Sequence, residues 1–160
     1  MPLNRLSELL WQERNLLELL LFKLEEEQLL LTAGRSRWLP HATREVETVL
    51  EEIRGAEILR AAEAEAVAAE LGLPPDAALG ALSVAAPAPW DELLRAHRDA
   101  FVSLTSQIAS LADDNRELLA ISHRATQETL ASLAATVETY DGSGRAAAGE
   151  SVARVLDESI

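Results

Sequence analysis

The chain has 160 residues, with 14 Lys plus Arg against 27 Asp plus Glu and a formal charge of −13, a sign that disfavours nucleic acid and anionic membrane surfaces because both reward clustered cations. A content of 48% hydrophobic and 26% charged residues is that of a globular or coiled-coil domain rather than a disordered chain. Absence of cysteine removes disulfide and thiolate-zinc frameworks, and 4% aromatic residues leave little material for stacking nucleic-acid bases.

Over residues 3–33 the period is helical. Leu3, Leu10, Leu17, Leu24 and Leu31 recur every seven residues, with Leu6 and Leu20 at the companion position and Glu13 and Glu27 interrupting it. Leu9, Leu16 and Leu30 widen the stripe, which suits a bundle better than a dimeric zipper. Glu8, Glu13, Arg14 and Glu18 break the apolar run, so neither a signal peptide nor a membrane span is expected, and the expected compartment is cytoplasmic. Gly34 and Pro40 bracket a short connection. A second helix is predicted over 41–71, with Val46, Val49, Leu50, Ile53, Ala56, Val67 and Leu71 on one face and Gly72 at its end. The short connection makes the first two helices an antiparallel hairpin about 45 Å long. Gly55 within the second helix reads either as room for a close helix crossing or as a tolerated surface glycine.

Residues 72–90 read as a Pro- and Ala-rich linker with room for one short helix capped by Asp76. The third long helix is predicted over 91–140. Leu94, Phe101, Leu104, Ile108, Leu111 and Leu118 keep one heptad register, whereas Leu119, Leu130, Leu133, Val137 and Tyr140 fit one displaced by a residue, so the seam is expected to change face near Ser122 and His123. At about 75 Å this helix exceeds the hairpin. Its end therefore either folds back as a fourth helix or offers an apolar seam to a partner. Gly142 and Gly144 stop it, and 141–160 reads as a flexible tail after a helical bundle over 1–140. The expected fold is all-α: an antiparallel long-helix bundle or coiled coil.

Chemistry is hard to find along this chain. His41, His97 and His123 are preceded at three residues by Trp38, Leu94 and Ala120, not by the Glu that a di-iron bundle requires. No metal, cofactor or catalytic residue is expected. Glu25 to Glu27 and Asp113 with Asp114 read as solvated helix faces. Asn115 lies on the apolar seam between Leu111 and Leu118, where Asn either fixes register and partner choice or is simply accommodated; in the first case Asn115→Leu is expected to stabilise the fold. Trp11, Phe22 and Leu29 lie off the main seam of the first helix and form a second candidate contact face.

The opening LSELLWQERNLLE over residues 6–18, FKLEEE over 22–27, LGLPP over 71–75, DNRELL over 114–119 and TYDGSGR over 139–145 together resemble the FlgN family, cytosolic export chaperones of the bacterial flagellar type III secretion system. The resemblance implies a non-enzymatic long-helix bundle that binds terminal segments of hook-filament junction proteins and delivers them to the export gate. It also implies that Tyr140 meets the cytosolic domain of that gate. Leu119, Leu130, Leu133, Val137 and Tyr140 are the expected partner-binding residues. A structural coiled-coil scaffold without a secretion client would explain the heptads equally well.

Overall fold

The computed structural model describes residues 1–140, with side chains described through 136. Four helices account for most of them: α1 (Pro2–Thr32), α2 (Leu39–Glu70), α3 (Leu79–Ala85) and α4 (Trp90–Tyr140). No strand occurs among the described residues. Proline in the first turn starts α1 and α2, where its missing N–H is no loss. After α1 and α2, Gly34 and Gly72 adopt φ of 66° and 70°, left-handed values that glycine takes without a Cβ clash. Asp91 and Glu92 occupy the first turn of α4, where carboxylates complement the helix dipole. The linker helix α3 differs from expectation. It starts at Leu79 with Ala78 as its N-cap and no side-chain cap, so Asp76 does not cap it. Leu82 instead anchors this helix in the core.

The chain forms two compact units, Met1–Asn115 and a second beginning at Arg116. Within the first, pairings fix the directions of the helices. Arg5 meets Glu63, Glu13 meets Arg60, Lys23 meets Glu45 and Thr43 meets Glu27, so numbers rise on α1 while they fall on α2. This is the antiparallel hairpin. Ser7 lies by His97, and Asn115 bonds to the carbonyl of Leu24, so the described α4 of this unit runs parallel to α1 and antiparallel to α2. Gly55 has no neighbour within 4 Å of an added Cβ, which settles it as a surface glycine rather than a crossing point.

The core is two apolar clusters separated and closed by polar layers. Leu3, Leu6, Leu10, Val67, Ala68, Leu82 and Leu94 belong to the first cluster; Leu17, Leu20, Leu24, Val46, Val49 and Ile53 form the second, against Leu104, Ile108 and Leu111. Glu13 falls between them. It is buried, and Arg60 Nε donates to its Oε2 at 2.6 Å. Burial raises the Glu13 pKa above its ordinary value in spite of the opposing pull of Arg60.

His97, 1% exposed, meets α1 at Ser7 and Arg14. Arg14 Nη1 lies 3.4 Å from His97 Nδ1 and Ser7 Oγ 3.4 Å from Nε2. A guanidinium can only donate, so Nδ1 accepts, and the neutral ring carries its proton on Nε2, facing the hydroxyl. Desolvation, and then the nearby Arg14 charge, holds the His97 pKa below its ordinary value.

The second polar layer closes the far cluster. Glu27 is buried, which corrects its reading as part of a solvated face; of the other two, Glu25 is exposed and Glu26 half-buried. Thr43 Oγ1 donates to its Oε2 at 3.3 Å, and Asn115 Nδ2 donates to its Oε1 at 3.2 Å and to the Leu24 carbonyl at 2.9 Å. Asn115 is 1% exposed and ties α4 to a buried carboxylate. That bond reverses the expected sign of Asn115→Leu. The substitution is expected to destabilise by about 1–3 kcal/mol in urea denaturation, because a buried charge loses a donor.

Arg60→Ala is expected to cost about 2–3 kcal/mol by stranding the Glu13 carboxylate. Replacing both Glu13 and Arg60 with Leu should be close to neutral, since the desolvation of both charges disappears with them. Acidification acts through His97. With its native pKa below the unfolded value of 6.5, the unfolded state takes up the proton first, and stability falls as pH drops below 6.5 until the native ring titrates. Glu13 has the opposite sign, since its raised native pKa favours the folded state on acidification. Comparing the parent with His97→Gln in thermal melts between about pH 7 and about pH 5 isolates the histidine, and the variant should lose less stability across that range.

Candidate partner-binding surface

Helix α4 presents one apolar face along its length. In the first unit that face supplies Leu94, His97, Phe101, Leu104, Ile108, Leu111 and Asn115, of which Leu94, His97 and Asn115 are buried and the others half-buried. Steps of three and four residues carry the same face onward through Leu119, Ser122, Thr126, Leu130 and Leu133. The helix is uninterrupted from Trp90 to Tyr140, so the expected change of face near Ser122 and His123 is corrected. An α-helix drifts about 20° per heptad against a 3.5-residue repeat, and over the roughly five heptads from Leu94 to Leu130 this amounts to about one residue. The displaced register is therefore the signature of a single face. A folded-back fourth helix would need a break that α4 lacks; the fourth helix is α3.

From Arg116 onward the surroundings of this face change. No described side chain of the second unit is buried. Leu119 is 37% and Leu133 48% exposed, while Leu118 and Leu130 are half-buried. A sequence that keeps leucine on a helix face where water reaches it leaves apolar area that association can cover. Leu119, Leu130 and Leu133 thus share a face with one another. The side chains of Val137 and Tyr140 lie outside the described residues, as do 141–160 and the tail expected there; Tyr140 is described only as the last residue of α4.

The three residues of the second expected face do not form a uniform patch. Trp11, Phe22 and Leu29 are all exposed. Trp11, however, packs edge-on to His97, with ring centroids 5.0 Å apart at 79°, and the Arg14 guanidinium lies 4.2 Å over its ring. It serves the interior through one edge. Leu29 lines a cleft of about 320 Å³ at the hairpin tip with Leu30, Trp38, His41, Ala42 and Glu45. Lys23 Nζ donates to Glu45 at 2.9 Å and lies 3.3 Å from Glu26, which holds Glu45 below and Lys23 above their ordinary pKa values. Trp11 and Leu29 therefore belong to different surroundings on α1.

Sequence reasoning missed the cluster of buried Ser7 and His97 with half-buried Arg14, since nothing in one chain says which helix faces will meet. It also treated Glu13 and Glu27 as interruptions, although their spacing of seven from Leu6 and Leu20 was the signal that they occupy core positions. Among the described residues no group of three His, Cys, Asp or Glu side chains is placed to hold a metal ion, and no helix is long and apolar enough to cross a membrane. No curated protein and no solved structure matches the chain. The model of one family, described as FlgN protein, matches residues 1–148. The buried α1 seam, the two glycine-ended helices and the Asn-bearing α4 all fall within that match, and the chain belongs to the FlgN family of flagellar export chaperones.

Proposed function

We propose that this chaperone binds hook-filament junction proteins in the cytoplasm, keeps them from assembling prematurely and delivers them to the flagellar export gate. The observation that carries this reading is the apolar face of α4, which continues past Asn115 with Leu119 and Leu133 open to water. A client's amphipathic terminal segment would add a helix to that face, anchored at Leu119, Leu130, Leu133 and Val137 by the apolar spacing of helix-in-groove recognition. Burying leucines already paired to one side of a helix gives affinity in proportion to the area removed from water. It needs no chemistry at the site and leaves release to competition at the gate. In this proposal Tyr140, at the end of α4, is the contact with the cytosolic domain of the gate.

Calorimetric titration of the Leu130→Ala, Leu133→Ala double variant with a junction protein tests the reading. If the two leucines were core, each truncation would cost about 2–5 kcal/mol of stability. Partly or largely exposed, they should leave the melting temperature close to the parent's and weaken client binding by about tenfold or more. Unfolding of the variant, or undiminished affinity, would contradict the proposal. Tyr140→Ala should spare client binding and reduce export.

A further inference from the structure

Helix α2 carries a second apolar line on the side away from its core. Val46, Val49, Ile53 and Val67 are buried, whereas Ile58 is 72% and Leu59 57% exposed. Gly55, Ile58, Ala62 and Ala66 follow one another at steps of three and four residues, with Leu59 beside them, and all are exposed. The line is about 17 Å long. Nothing lies within 4 Å of a Cβ added at Gly55, so the backbone there is open to close approach by another chain.

Carboxylates border this line on both sides. Glu47 and Glu65 lie at helical spacing on the Ile58 side, and Glu52 and Glu70 on the Leu59 side, separated by seven and eleven residues from those two anchors. Among the described residues none of the four has an ion-pair partner; Arg54, a cation of the Ile58 side, is paired with Glu51, and the other pairs of this helix go to Glu45, Arg60 and Glu63. An apolar line between two unpaired acidic rows is complementary to a helix with an apolar stripe flanked by cations.

We infer that this outer face of α2 is a docking surface for a cationic amphipathic helix of another protein. Charge selects that occupant. A second copy of the chain would bring the same four carboxylates and a net charge of −13 into opposition. The chain's own last twenty residues carry two Arg against four Asp and Glu and offer no matching charge. Anionic lipid and nucleic acid are repelled for the same reason. The surface lies on α2 and is independent of the α4 seam proposed for the client, so two polypeptides would be held by different faces.

The test is calorimetric titration of the full chain with a synthetic Leu/Lys amphipathic helix of about 18 residues, beside a scrambled peptide of equal charge. The amphipathic peptide should bind, more weakly as salt rises, and the scrambled one should bind at least about tenfold less tightly. Ile58→Ser with Leu59→Ser, which leaves the charge unchanged, should reduce affinity about tenfold with the melting temperature preserved. Glu52→Gln with Glu65→Gln should flatten the salt dependence and provides a second reading should the serine pair disturb folding. The client affinity of both variants should match the parent's, whereas the α4 double variant should keep its affinity for the peptide. Equal binding of the scrambled peptide, or unchanged affinity in both α2 variants, would overturn the proposal. So would a dimer that the serine pair dissolves in sedimentation, which would make a second copy the occupant.

Discussion

Glu13 and Glu27 take positions on α1 that its heptads otherwise give to Leu6 and Leu20, and both carboxylates are buried. Removing a carboxylate from water costs several kcal/mol unless hydrogen bonds replace the lost hydration. Each therefore accepts one arrangement of its neighbours, with Arg60 opposite Glu13, and Thr43 with Asn115 opposite Glu27. Sliding α2 or α4 by a helical turn along α1 would still bring apolar side chains together, because the apolar seams are repetitive. It would leave a charge buried without its donor. The hydrophobic clusters supply most of the stabilisation and the two polar layers set the register, a division of labour seen where single polar residues specify coiled-coil alignment.

That register has a consequence along α4. Asn115 is the last buried residue of α4 among those described and the last residue of the first unit. Beyond it the apolar face of α4 persists while burial does not. Leucines with water on one side are ordinary when scattered. Here they keep the helical spacing of the core they continue, which is the pattern a second polypeptide can read. A chaperone must hold its client firmly enough to prevent assembly and loosely enough to give it up. The face proposed for the client, shallow and repetitive on one helix, meets both demands, since each leucine contributes modestly and none requires a rearranged backbone.

The boundaries of the long helices were legible because Gly and Pro act locally: Gly34, Pro40 and Gly72 stop and start helices for reasons of backbone sterics that need no partner. The α1 core was legible from its sevenfold leucines. Three things were not. Asp76 has the chemistry of a cap, but burial of Leu82 placed the short helix elsewhere, a tertiary effect overriding a local one. Glu27 was hidden in a run of three glutamates, and it is Thr43 and, 88 residues away, Asn115 that explain why one of the three turns inward. The displaced seam of α4 looked like a change of face when counted in heptads, though an α-helix of 3.6 residues per turn produces it without any bend. The face proposed for client binding was named in the sequence at Leu119, Leu130 and Leu133. Their exposure could not be, since it depends on tertiary surroundings that helical spacing does not carry.

The most direct measurement of the central claim is amide hydrogen exchange of the chaperone with and without a junction protein. Residues 116–136 carry few buried contacts, so their amides should exchange faster than those of α1 in the free protein and gain protection when the client is added. Protection gained only along α1 and α2, with 116–136 exchanging as in the free chain, would contradict the account.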